Sequence, residues 1–135
     1  MSKKQTVKFW KYSGIFLIAT GILHSVVGIA MGKDYLLGII KDGFFNATQN
    51  DFPRGLVFWF LVCGVFFIIL GQVLHYYIKK EQQPAPNILG YWLLGVGAVG
   101  CIIIPVSGFW LFIPQALIII IANNKVKRIA EYENK

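Results

Sequence analysis

Four apolar stretches, 10–32, 55–78, 88–104 and 109–122, occupy most of the chain, and the first three carry glycines seven residues apart. The hydrocarbon core of a bilayer is about 30 Å thick and takes about 20 mostly apolar residues per helix. The pattern predicts an all-α integral membrane protein, a four-helix bundle forming a single transmembrane domain over 1–135. Composition agrees: 56% of residues are hydrophobic, 14% are charged, and the mean hydropathy is +0.62. These values exclude an ordinary soluble globular domain.

The charges orient the spans. Lys3, Lys4, Lys8 and Lys11 precede the first, Lys79 and Lys80 follow the second, and Lys125, Lys127 and Arg128 follow the fourth. The turn between spans 3 and 4 carries no charge. Cytoplasmic loops collect Lys and Arg, so both termini and the loop at 79–87 are expected inside a bacterial cytoplasmic membrane. The net charge of +7 is then explained by anionic lipid rather than by nucleic acid, which is not expected as a partner. The lysines before span 1 resemble a secretory leader, but the apolar run is longer than an h-region and more spans follow, so an uncleaved first span is expected. Tyr76, Tyr77, Tyr91 and Trp92 suit the inner interface, and Trp59 and Trp110 the outer one.

An apolar extracytoplasmic loop is expected at 33–53, where Tyr35, Leu36, Ile39, Ile40 and Phe44 recur at helical spacing. The sequon Asn46-Ala47-Thr48 is read as coincidence. Pro105-Val106-Ser107-Gly108 marks a tight outer hairpin between spans 3 and 4. The fourth span is then short, with Pro114 expected to kink it. A re-entrant segment is the alternative. Beyond it, Lys125 to Glu133 should continue as an exposed amphipathic helix.

Gly14, Gly21 and Gly28 share one helix face, because seven residues at 100° each drift by only about 20°. Ser25 lies on the same face, opposite Ile15, Phe16, Leu23, Val26 and Val27. Gly64 and Gly71 lead to His75 in span 2, and Gly90 and Gly97 lead to Cys101 in span 3. In lipid, helices associate by close fit and hydrogen bonds, and small residues let backbones approach. These seven glycines are therefore read as helix-packing positions. Cys63 and Cys101 both fall within spans and imply no disulfide.

Ionisable groups at membrane depth usually face a bundle interior. His24 is read first as a neutral histidine bonded to a neighbouring helix, with Gln115 a candidate partner, and second as a ligand or proton site. Arg54 is read as a snorkelling cation at the headgroups, or as a receiver of an anionic group. Gln72 and His75 tie span 2 to a neighbour. His24 and His75 differ by roughly 15 Å in depth, which rules out a shared metal within one subunit. No Ser/His/Asp set, HExxH or Walker motif is present, so no catalytic residue, metal or cofactor is expected and the reading leans away from an enzyme.

Gly21-Ile22-Leu23-His24-Ser25-Val26-Val27-Gly28, the stretch from Gly64 to Gly71, and Pro105-Val106-Ser107-Gly108-Phe109-Trp110 resemble a family of small bacterial four-span membrane proteins known only as a domain of unknown function. The resemblance covers nearly the whole chain. It implies four spans and a bacterial inner membrane, with His24 and 105–110 as the matching positions, and it carries no activity, substrate or cofactor. Two roles remain open. One is binding of a lipid or small apolar ligand in the outer half, among His24, Arg54, Trp59, Ser107, Trp110 and Gln115. The other is an accessory protein whose glycine faces pack on a second copy or on a membrane partner. Topology reporters fused at residue 135 and within the loop at 33–53 should be active inside and outside the cell, respectively. A C-terminal reporter active only outside would defeat the four-span reading.

Overall fold

In a computed structural model, residues 9–133 are described. Lys3, Lys4 and Lys8, used above for orientation, lie outside them. Four α-helices and no strand occur among the described residues: α1 Ser13–Lys41, α2 Phe52–Glu81, α3 Asn87–Ile103 and α4 Phe112–Glu133. Single 3-10 turns, Phe9–Tyr12 and Gly108–Leu111, lead into α1 and α4. The fold is all-α. Among the described residues, three helical stretches are long and apolar enough to cross a membrane: Phe9–Lys41, Phe52–Glu81 and Gly108–Tyr132. Helix α3 is apolar but only 17 residues long, about 25 Å at 1.5 Å per residue.

Helix α4 continues through Lys125, Lys127 and Arg128 to Glu133, as expected. The difference is one of length: the stretch leading into α4 is long enough to span, whereas α3 is the short helix. Pro114 is the third residue of α4, within the first turn, where a backbone N–H has no intrahelical partner to lose. The expected kink has no cause there. Helix α3 instead stops at Ile103 because Pro105 cannot continue it. Ile104 closes the end by donating its N–H to the Gly100 carbonyl at 2.8 Å.

The chain divides into two compact units, Leu17–Leu70 and the combination of Met1–Phe16 with Gly71–Lys135. The first holds the paired halves of α1 and α2 and the turn joining them. Much of the expected outer loop is helix here, since α1 runs on to Lys41. It stops at Gly43, whose φ of +82° lies in the left-handed region that glycine enters without a Cβ penalty. The Gly43 N–H donates to Ile40 and the Phe44 N–H to Ile39, both at 3.2 Å, which is the Schellman pattern. The connecting turn is thus 42–51. Asp51 then caps α2, its carboxylate accepting the Arg54 N–H at 3.1 Å. Pro53, in the first turn of the helix, removes no ladder bond.

In this unit the two helices meet backbone to backbone. A Cβ on Gly21 would lie 2.8 Å from the Gly64 carbonyl oxygen and 2.9 Å from the Ile68 nitrogen. Gly64 in turn leaves the space that Ser25 and His24 occupy. In the other unit, a Cβ on Gly14 would lie 2.5 Å from the His75 nitrogen and 2.7 Å from the Gly71 oxygen. Along α3, Gly90 faces Ala116, Ile119 and Ile120, and Gly97 faces Phe112 and Ile113. Ala116 and Ile119 are fully buried. Asn123 fastens the α2–α3 linker to α4 by donating to Ala85 at 2.7 Å and to Ile119 at 2.9 Å.

Substitutions along the stripes should divide by facing distance. Gly21→Leu should lose about 1–3 kcal/mol through overpacking. Gly95→Ala has nothing within 4 Å of the new Cβ, so it should gain up to about 0.5–1 kcal/mol from helix propensity. Leu23→Ile, on the exposed face, should be nearly silent. Thermal unfolding in detergent measures all three, and equal tolerance would remove the packing argument.

Candidate functional site

Five of the six residues nominated for a ligand site make hydrogen bonds within the protein, and the sixth, Trp59, is exposed. In unit 17–70, the His24 Nε2–H donates to the Phe60 carbonyl at 3.1 Å, which assigns the tautomer. Its ring stacks on Phe60, with centroids 3.7 Å apart and planes 14° apart, and meets Phe67 edge-on at 5.5 Å. His24 is thus bonded to a neighbouring helix, through an α2 carbonyl rather than through Gln115. Ser25 bonds back to the Gly21 carbonyl at 2.9 Å within α1.

Arg54 lies across Gly38, where a Cβ would come 2.7 Å from the guanidinium. Its Nη1 donates to the Asp42 carboxylate and to the Ala47 carbonyl at 3.0 Å, and its Nε pairs with Asp51 at 2.8 Å. One cation therefore holds both ends of the 42–51 turn, and two carboxylates answer its charge. It closes a loop rather than offering a free cation to an anion. Trp59 is 63% exposed, edge-on to Phe58.

In the other unit, Ser107 caps the 3-10 turn by accepting the Phe109 N–H, and the Trp110 indole donates to the Pro105 carbonyl at 2.8 Å. Both hold the α3–α4 connection. Gln115 is fully buried and donates to the Ser13 carbonyl at 3.1 Å. Its Oε1 and the Ser13 hydroxyl have no hydrogen-bond partner among the described residues.

A concave feature of this unit lies elsewhere. A groove of about 550 Å³ runs along the last turns of α3, lined by Trp92, Gly95, Val96, Val99, Ile103 and Phe109, among others. None of the six nominated residues lines it. The Phe109 ring forms one wall by seating on Gly100, where any Cβ would collide with it. Gly95 forms the floor. It lies five residues from Gly90, about 140° around the helix, so it falls off the packing face and leaves a dent in the outward one. Val96, Val99 and Ile103 on that face are all exposed. The residues missed by the sequence reading were therefore marked there by a glycine out of register with the stripe.

The chain matches a family of unknown function, DUF6463, over residues 8–126. It belongs to that family. No protein of curated description and no solved structure matches it. Membership agrees with the resemblance read from the glycine and aromatic motifs, and it assigns no activity.

Variants at position 24 should separate hydrogen bonding from stacking. His24→Phe keeps a ring and loses the donor, so it should cost about 0.6 kcal/mol. His24→Ala also loses the ring pair, adding about 0.5–1.5 kcal/mol. Unfolding in detergent reads the order, and a His24→Ala protein as stable as wild type would deny His24 its structural part.

Proposed function

We propose that this family member is a four-span protein of the bacterial cytoplasmic membrane that holds one hydrocarbon chain of a lipid or small apolar ligand. The chain would lie in the groove over Gly95. The observation carrying this reading is that groove: an open concavity of about 550 Å³ along one face of α3, lined by apolar side chains and bounded by Phe109. A site of that kind gains from burying methylene groups against protein walls, and it sets ligand class by shape rather than by hydrogen bonds.

The charge pattern supports the orientation. Lys79, Lys80, Lys125, Lys127 and Arg128 favour the cytoplasmic side for both the α2–α3 linker and the end of α4. In that orientation the groove runs along α3 from Trp92 on the inner side toward Ile104 on the outer side. Helix α3 reaches about 25 Å, a little under the hydrocarbon thickness, and interfacial anchoring by Tyr91 and Trp92 accommodates such a mismatch. The rival reading, an accessory protein docking through its glycine faces, has less support. Gly14, Gly21, Gly64, Gly90 and Gly97 make their close approaches inside the chain.

A lipid with a diazirine on its acyl chain tests the groove. Labelling should concentrate in peptides covering 92–104 and should fall strongly in Gly95→Phe, whose side chain fills the floor without meeting protein. Labelling spread evenly over these peptides and over the exposed face of α1 at Ile22 and Val26 would sink the proposal.

A further inference from the structure

A second cleft, of about 300 Å³, lies between the 3-10 turn before α1 and the last turns of α2. Lys11, Tyr12, His75, Lys79 and Gln82 surround it, with Ile15 and Ile78 as apolar walls. All belong to the unit formed by 1–16 and 71–135. The contact of Gly14 with the His75 backbone builds the cleft by bringing the two segments together.

Its polar groups are left over from folding. The two ion pairs recorded among the described residues both use Arg54. Lys11 sits 5.8 Å from the Trp10 ring centroid, a cation–π contact that leaves its three N–H donors available. Lys79 is exposed. His75 Nδ1 is buried and has no hydrogen-bond partner among the described residues, a state that costs free energy. The ionisable groups in the neighbourhood are Lys11, Lys79 and Lys80 against Glu81, an excess of positive charge.

A helix C-terminus ordinarily repels anions, but this one is closed off. Gln82 takes a positive φ of 53° and donates its backbone N–H to the Ile78 carbonyl at 3.0 Å. Its side-chain amide donates to the Lys79 carbonyl at 2.6 Å. Two of the carbonyls that would face an anion are thereby occupied, and the lysines govern the field.

We propose that this cleft binds a single phosphate group. Lys11 and Lys79 supply charge, the Tyr12 hydroxyl and the His75 imidazole border the same space, and Ile15 and Ile78 rest against whatever continues from the phosphate. The same chemistry suits an anionic phospholipid headgroup or free phosphate. The position at a span end and the apolar walls favour the lipid. This site is separate from the groove over Gly95 and does not depend on it.

The test uses the full chain purified from nanodiscs of phosphatidylcholine with or without phosphatidylglycerol, and native mass spectrometry to count retained lipid. A one-to-one phosphatidylglycerol adduct is expected. It should weaken about fivefold for each of Lys11→Gln and Lys79→Gln, and it should also weaken in His75→Leu, which removes no lysine. The Lys125→Gln/Lys127→Gln double variant should keep it. Lys79 is exposed, so loss in Lys79→Gln is not a folding failure, and unfolding in detergent checks His75→Leu. Phosphorus NMR with inorganic phosphate forms the other arm. Line broadening that vanishes in the same variants supports the site with free phosphate as its ligand. An adduct lost equally in the Lys125/Lys127 variant, or unchanged in all three cleft variants with no phosphate broadening, overturns the proposal.

Discussion

Gly21 touches the backbone of α2 at Gly64, and Gly14 touches it at Gly71 and His75. In lipid no hydrophobic force drives two apolar helices together, so association depends on dispersion contact and on hydrogen bonds across the seam. Backbone contact maximises both. It lets the His24 imidazole reach the Phe60 carbonyl, and it sets the 3-10 turn beside the last turns of α2, where the basic cleft forms. A methyl group at either glycine would push the backbones apart and leave both arrangements out of reach.

Polar side chains in this protein largely serve its own backbone. Asp51 starts α2, Ser107 starts the 3-10 turn, Trp110 holds the corner at Pro105, and Asn123 pins the linker at Ala85. Water satisfies such groups in a soluble protein. Within a bilayer the chain must supply partners itself, since an unmet group costs several kcal/mol. Arg54 shows the same economy at the turn, where one guanidinium meets Asp42, Asp51 and the Ala47 carbonyl. Against that background His75 Nδ1 is one of the few buried polar atoms without a hydrogen-bond partner among the described residues.

Ligand sites in a membrane protein of this size arise where packing is locally incomplete. Gly90, Gly97 and Gly100 each accept a neighbour, whereas Gly95 accepts none. One missing side chain on an outward face, walled by Phe109, makes the concavity in which we propose that a hydrocarbon chain lies. The basic cleft follows a different logic, combining an apolar wall with charge at the span end. The two differ in the chemistry they admit.

Periodicity and hydropathy determined much of this protein alone. They are local properties of a helix in lipid, so the all-α class, the apolar stretches, the helical continuation beyond Lys125 and the grouping of Gly14, Gly21 and Gly28 on one face were readable directly. Helix ends were less legible. The length of α1 depends on a Schellman cap at Gly43 and the start of α2 on the Asp51 carboxylate. The partners of polar residues were decided only in three dimensions. His24 meets Phe60, thirty-six residues away, and Gln115 meets Ser13, 102 residues away, and no periodicity encodes such pairings. The residues around both clefts were hidden for the same reason. A cavity is a property of the space between elements, and only their packing shows which side chains are left without a neighbour.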